Sequence, residues 1–156
     1  MEFKELIAAF AAKYGIEGLN GADGAAELAV DGIRVELLDD MQTRSIFACV
    51  EIGNPPPDAD GAFGAMMLQA NFLLRGTEGA TLCQNPETHA YALVRPFPLV
   101  LADVESFAAG LESLVNQAEN WRKVLSGLRV AETARSEAPE SGSSHHDMLS
   151  NGFFHV

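Results

Sequence analysis

The sequence predicts an α+β domain with the element order helix-β-β-β-helix-β-β-helix and an antiparallel, twisted sheet packed by helices. Three observations predict this class. Apolar residues recur at helical spacing in three segments, and five shorter segments have the composition and alternation of strands. The strands cluster in groups of three and two instead of alternating one-for-one with helices. The length of 156 residues is typical of one domain.

The first half of the chain predicts a helix followed by a hairpin. Residues 2–14 place five apolar side chains on one helical face. After a glycine-rich loop, residues 26–30 and 33–37 alternate as two strands, and Asp31-Gly32 between them is typical of a two-residue type I′ turn. The helical face consists of Phe3, Leu6, Ile7, Phe10 and Tyr14.

The third predicted strand, residues 45–52, has apolar side chains on both faces. Asp39-Asp40 marks the turn before it. Both faces are therefore covered, or one of them presents apolar surface to a partner. One face carries Ile46, Ala48 and Val50, and the other carries Phe47 and Cys49.

A middle helix is predicted over residues 61–75, with Asp58 or Asp60 as its cap and Gly76 as its end. The Pro55-Pro56-Pro57 run before it indicates a stiff, extended connector. Apolar residues nearly encircle this helix, so it must be buried on all sides. One sheet can cover only one side, and a second copy of the chain is the simplest cover for the other.

Residues 81–84 and 89–95 predict a second hairpin, which Pro96 and Pro98 end. Asp103 then caps a long helix that reaches about Leu128. Beyond it the composition turns to Glu, Ser, Gly and Ala without sustained periodicity. We therefore expect one domain over residues 1–130 and a flexible tail over residues 131–156.

Charge and composition exclude several classes of function. The net charge of −12 argues against nucleic-acid binding, which needs a cluster of Lys and Arg. The sequence contains no apolar stretch of about 18 residues, so we expect no membrane insertion. The start of the chain lacks the pattern of a secretory signal. Cys49 and Cys83 have no metal-binding or redox spacing and are expected to be reduced thiols in a cytoplasmic protein.

No catalytic or metal-binding constellation is apparent. Three of the four histidines lie in the predicted tail, which offers no folded frame for a metal, and His89 stands alone at a strand start. The neighbouring carboxylates occupy predicted polar turns or the tail, where nothing raises a pKa for acid–base work. The sequence therefore favours a binding protein without a cofactor over an enzyme.

Three groups of segments also carry a family pattern. Residues 67–73 read Met-Leu-Gln-Ala-Asn-Phe-Leu, and residues 118–125 form the end of the last helix. Between them, residues 79–83 are followed by residues 91–95 and Phe97-Pro98-Leu99. In this order they resemble the middle helix ("L-x-x-A-N"), second hairpin ("R-x-P-L" exit) and last helix of the Tir-chaperone, or CesT-like, family of type III secretion chaperones.

The resemblance implies a function. Members are acidic homodimers that hold the N-terminal chaperone-binding segment of a secreted effector in extended form, without ATP, and so keep it soluble and export-competent. It also points to the secretion ATPase as a further partner. The alternatives are a regulatory or protein-binding module on the same fold unrelated to secretion, and a small enzyme with an unrecognised site.

Two sets of site residues follow. The first helix, first hairpin and third strand are expected to supply grooves for the effector, and the resemblance places a dimer interface on the middle helix and second hairpin. The expected effector-binding residues are Phe3, Leu6, Ile7, Phe10, Leu28, Val35, Leu37, Phe47 and Cys49. The expected dimer residues are Phe63, Met66, Met67, Ala70, Leu74, Tyr91 and Leu93.

Overall fold

The computed structural model describes residues 2–54 and 60–136 and has the predicted α+β class. Five antiparallel strands form one sheet in the order β1-β2-β3-β5-β4, so β1 and β4 are its edges. Within the described residues, no helix combines the length and apolarity needed to cross a membrane. The elements are α1 (Phe3–Tyr14), β1 (Ala25–Val30), β2 (Ile33–Asp40), β3 (Ser45–Gly53), α2 (Asp60–Asn71), β4 (Thr81–Gln84), β5 (Tyr91–Pro98) and α3 (Val104–Ser136).

The α1 helix is delimited by its terminal residues. A reciprocal capping box joins Glu2 and Glu5 at its start, which satisfies backbone donors that the first turn leaves free. Gly15 ends the helix in the left-handed conformation at φ 65°, where a Cβ would be strained. Its apolar face lies in the core, where Phe10 packs against Phe107 of α3.

The first hairpin has the predicted turn, whereas the second turn lies later than expected. Asp31 and Gly32 have φ values of 51° and 77°, as a type I′ turn requires. Asp39 and Asp40 belong to β2, not to the turn. The Asp40 carboxylate instead accepts hydrogen bonds from the Gln42 N–H (3.1 Å) and the Thr43 hydroxyl (2.6 Å), which orders the turn that follows.

Pro96 and Pro98 lie inside β5, although the sequence predicted that they end it. The pairing explains why they are tolerated. Alternation puts their missing N–H groups on the side of β5 that faces β4, and β4 pairs only as far as Val94. Beyond Val94 no described strand lies on that side, so β5 continues along β3 to the pair Ser45 and Pro98.

The helix α2 ends earlier than predicted, and a 3-10 turn over Phe72–Leu74 follows it. Leu73 and Leu74 adopt positive φ values of 55° and 53°, which reverse the chain toward β4. Gly76 is required for close approach, because a Cβ there would lie 3.0 Å from the Ala70 Cα. The predicted capping by Asp58 or Asp60 and the Pro55–Pro57 connector fall outside the described side chains.

The helix α3 begins as predicted and is longer than predicted. Asp103 accepts hydrogen bonds from the Ser106 N–H (2.9 Å) and hydroxyl (2.6 Å), which lowers the pKa of its carboxyl. The helix continues to Ser136 instead of stopping near Leu128. Residues 131–135 contain good helix formers and neither glycine nor proline, so the helix can continue through them. The rest of the predicted tail, residues 137–156, lies outside the described residues.

One face of the sheet and the inner faces of the helices form a single core. The side chains of Ile46, Ala48 and Val50 are fully buried there, as their alternation predicts. Two aromatic groups tie the helices to the sheet: Phe107 packs edge-on against Phe10 and Phe97, and Phe63 packs against Tyr91 and Trp121. The opposite face of the sheet carries no helix in the described part of the chain.

Gly110 on α3 lies directly against the Phe97 ring of β5. A Cβ there would lie 2.3 Å from Cε1 of the Phe97 ring, which is itself held by Phe107. We expect Gly110→Ala to lower the free energy of unfolding, because overpacking costs about 1–3 kcal/mol and exceeds the helix-propensity gain of about 1 kcal/mol. Gly127→Ala on the same helix meets nothing within 4 Å and should be neutral or stabilising. Urea denaturation of both variants checks this; equal stabilities would contradict the packing.

Candidate protein-binding surfaces

The residues predicted to bind an effector do not share one open surface. Seven of the nine, from α1 and the first hairpin, are core side chains, and only Phe47 and Cys49 are half-buried on the sheet's other face. A side chain that the chain itself covers presents no apolar surface to a partner in this conformation, and the role of these residues in effector binding stays a prediction. The seven are Phe3, Leu6, Ile7, Phe10, Leu28, Val35 and Leu37.

The predicted dimer residues divide in the same way. Phe63, Met67, Tyr91 and Leu93 are buried within their own chain, where Phe63 lies 4.9 Å from Tyr91 between ring centroids. Met66 and Ala70 are half-buried against the core. Of this set only Leu74 is exposed.

The outer face of α2 and the turn after it carry exposed apolar residues, of which Leu74 alone belongs to the predicted dimer set. Leu68 is 74% exposed and Phe72 is 71% exposed, and Leu73 and Leu74 adjoin them. We call these four residues the α2 patch. The signal was present: Phe63 and Met67 are one turn apart and face inward, so residues 68 and 72 face the opposite side.

The α2 patch is also conformationally strained. Leu73 and Leu74 are consecutive non-glycine residues in the left-handed region, which costs about 1–2 kcal/mol for each L-residue. Such strain persists only where the surroundings enforce it. Here the turn holds apolar side chains in water, an arrangement that contact with another apolar surface would stabilise.

A second open feature lies along the edge strand β1. In a two-residue hairpin the flanking residues, Val30 and Ile33, exchange both backbone hydrogen bonds. Alternation therefore points the backbone groups of Glu27 and Ala29 away from β2. Among residues 2–54 and 60–136, no group bonds to them on that side, and both residues are exposed.

A groove of about 530 Å³ adjoins this edge. The α1–β1 loop forms one wall with Gly18 and Asn20, and the first half of β1 forms another. Leu38, which is 48% exposed, gives the groove an apolar contact. An extended chain lying along β1 would have both free backbone partners and this groove for a side chain.

The uncovered face of the sheet continues from the groove. In register, Leu38 is followed by Phe47 and Pro96, so one apolar row crosses three strands. Beside it Arg34 bonds Glu27 (2.7 Å) and Glu36 (2.8 Å) at the surface. Exposed pairs of this kind add little stability, so this row of charges mainly keeps the face solvated.

Cys49 lies on this face, and its thiol is held in the protonated form. Burial raises the pKa of its thiol to about 11, and burial also raises the pKa of Cys83. At pH 8 about one Cys49 in a thousand is then a thiolate, against about one in ten for a thiol with the ordinary pKa of 9.0.

We therefore expect iodoacetamide to alkylate Cys49 about 100-fold more slowly in the folded protein than in urea at pH 8. The rate should rise about tenfold per pH unit up to pH 10, because the thiolate fraction does. Mass spectrometry of the Cys49 peptide measures this. A pH-independent rate between pH 8 and pH 10 would contradict the raised pKa.

Comparison with known proteins identifies a family and several solved structures that this chain resembles. The sequence profile described as "Tir chaperone protein (CesT) family" matches residues 5–122. No curated protein sequence matches the chain. Several solved structures share its fold.

The HopA1-SchA chaperone–effector complex contains a chain with TM-score 0.65 and 18% identity, covering 78% of this chain and 93% of that one. The ExsC-ExsE complex gives TM-score 0.65 and 18% identity over 80% and 97% of the two chains. The Yersinia pestis type III secretion chaperone SycH, in complex with a YscM2 fragment, gives TM-score 0.61 and 17% identity over 75% and 97%. At these identities the structural likeness establishes the fold. Together with the profile match over most of the chain, it shows that this protein belongs to the Tir chaperone (CesT) family.

Proposed function

We propose that this chain is a type III secretion chaperone that binds the N-terminal chaperone-binding segment of a secreted effector in extended form. The observation that carries the proposal is the open edge of β1 beside a groove, on a chain of the Tir chaperone family. Similar structures described as chaperone–effector and related complexes support it. The bound effector stays soluble and export-competent in the cytoplasm until secretion.

The extended segment adds to the sheet as a strand beside β1. Its backbone bonds the outward groups of Glu27 and Ala29, and an apolar side chain enters the groove against Leu38. The row of Phe47 and Pro96 continues the contact over the uncovered face. Since the segment gives up chain entropy, a long contact of this kind is needed for useful affinity.

The chaperone acts as a homodimer through the α2 patch. Four adjacent exposed apolar side chains are unusual on a protein that remains monomeric, and a twofold axis brings the same patch of two copies together. Contact with the second copy would also stabilise the strained turn at Leu73 and Leu74. This assignment moves the interface from the buried side of α2 to its exposed side.

The chain acts by binding alone, without catalysis or a cofactor. The carboxylates with lowered pKa values are in structural roles: Asp40 orders a turn, Asp103 caps α3, and Glu105 pairs with Lys13. Each carboxylate is ionised and hydrogen-bonded to its neighbours. A general acid would instead need a carboxyl with a raised pKa. The secretion ATPase is proposed as a later partner on the family resemblance.

Co-expression tests the proposed function. The tagged chaperone is co-expressed with each protein encoded next to its gene. Each neighbouring protein is tested both at full length and without its N-terminal segment. We expect at least one full-length neighbour to co-purify and its truncated version to be lost. If no neighbour co-purifies, or if truncation has no effect on the one that does, the proposal fails.

A further inference from the structure

The two edges of the sheet, β1 and β4, differ in whether their outward backbone groups are already hydrogen-bonded. At the β4 edge, the Asn71 side chain makes two hydrogen bonds to a single residue. The Leu82 N–H donates to Asn71 Oδ1 (2.9 Å), and Asn71 Nδ2 donates to the Leu82 carbonyl (3.0 Å). The N–H and C=O of Leu82 point away from β5, so the amide of Asn71 occupies the groups that another strand would use.

Thr77 likewise makes two hydrogen bonds to a single residue, Ala80, which lies two residues before Leu82. The Ala80 N–H donates to the Thr77 carbonyl (3.1 Å), and the Thr77 hydroxyl donates to the Ala80 carbonyl (2.5 Å). Thr77 is 1% exposed and Ala80 is 1% exposed, so both bonds are shielded from water. Consecutive outward-facing residues on this edge are therefore already paired, and only Gln84 remains, at the end of the strand.

Free sheet edges invite pairing with other chains, and natural proteins block them. We propose that Asn71 and Thr77 form an edge guard that closes β4 to strand addition and leaves β1 as the receptive edge. An incoming strand at β4 would first have to break four hydrogen bonds, whereas at β1 it would find free groups. The guard is a property of the chain alone; its consequence, that the effector strand is confined to β1, rests on the proposed function.

The guard explains why an asparagine ends α2. Asparagine carries an N–H donor group and a C=O acceptor on one planar amide, as a peptide group does, so it can substitute for a paired strand residue. It also fixes the end of α2 against β4, which sets where Phe72 and Leu73 emerge. Asn71 is thus a positioning residue, and its role is testable without any effector.

The test compares Asn71→Ala with wild type, with Asn85→Ala as the matched control. Asn85 also bonds backbone N–H groups, those of Glu87 and Thr88, but in the hairpin loop and not along the edge. Amide hydrogen exchange of the full chain is measured first. We expect the Leu82 amide to exchange at least about 100-fold faster in Asn71→Ala, and to be unchanged in Asn85→Ala.

Sedimentation of the same samples then reports self-association. We expect Asn71→Ala to reach a mass above that of wild type as concentration rises, since copies now pair through β4. Unchanged Leu82 exchange, or a mass equal to or below that of wild type, overturns the guard. Should Asn71→Ala fail to fold, Thr77→Val removes the hydroxyl bond to the Ala80 carbonyl, and Thr77→Ser keeps it. Sedimentation is then the measurement, because Thr77 makes no bond to the Leu82 N–H. A mass of Thr77→Val that is no higher than that of Thr77→Ser overturns the guard. None of these outcomes bears on effector binding, which the co-expression test decides.

Discussion

The double variant Leu68→Glu/Phe72→Glu is expected to be monomeric at concentrations where the wild-type protein is a dimer. Both side chains are mostly exposed in the single chain, so the substitutions leave the core intact. In a twofold interface they would bring four carboxylates together, away from water. Burying unpaired charge and losing an aromatic anchor should weaken association by at least about 1,000-fold.

The matched control is Val100→Glu/Leu101→Glu, in the connection between β5 and α3. These residues are 72% and 76% exposed, so the control removes equally exposed apolar surface and adds the same charge. Sedimentation velocity with circular dichroism measures mass and folding together. A dimeric Leu68→Glu/Phe72→Glu variant, or a monomeric wild type, would show that the α2 patch is not the interface.

Ala29→Pro is expected to lower effector affinity by about 100-fold or more. Proline removes the outward N–H of β1 and places its ring where the added strand would lie, while the bonds between β1 and β2 are kept. An effector group left unpaired in the contact adds to the loss. Binding of a co-purified effector's N-terminal segment is measured by calorimetry.

Ala29→Val serves as the control because it keeps the N–H and suits a strand. It should bind like wild type. If the Ala29→Pro and Ala29→Val variants bind the effector segment equally well, the segment does not pair with β1. The groove beside Ala25 and Leu38 would then contact the effector in another way.

The fold was predictable because its signals are local. Alternation in residues 26–37 and the Asp31-Gly32 turn determine the first hairpin, and helical spacing determines α1 and α3. The ends were less predictable because they depend on neighbours. Pro96 and Pro98 stay in β5 only because β4 stops short of them, and no pattern within β5 reveals that.

The binding surfaces were harder to predict for a related reason. Apolar periodicity shows which side of a helix avoids water, but not whether the same chain covers it. The α1 face at Leu6 and Ile7 looked available to a partner and is core. On α2, apolar residues all around the helix hid the distinction between Met67, which is buried, and Leu68, which is not.

The edge guard has no signal in sequence spacing at all. Asn71 and Leu82 are eleven positions apart and meet because the strained turn at Leu73 and Leu74 brings the chain back. The family resemblance marked the segment containing Asn71, and the structure supplies a physical reason for an amide at that position. Only the pairing of β4 with β5 shows that its partner groups face outward.

Amide hydrogen exchange of the chaperone with and without its effector segment tests the central claim most directly. If the segment adds to the sheet at β1, the amides of Glu27 and Ala29 become strongly protected in the complex, while that of Leu82 at the guarded edge does not change. Protection at Leu82, or a complex in which Glu27 and Ala29 exchange as fast as in the free protein, would contradict it.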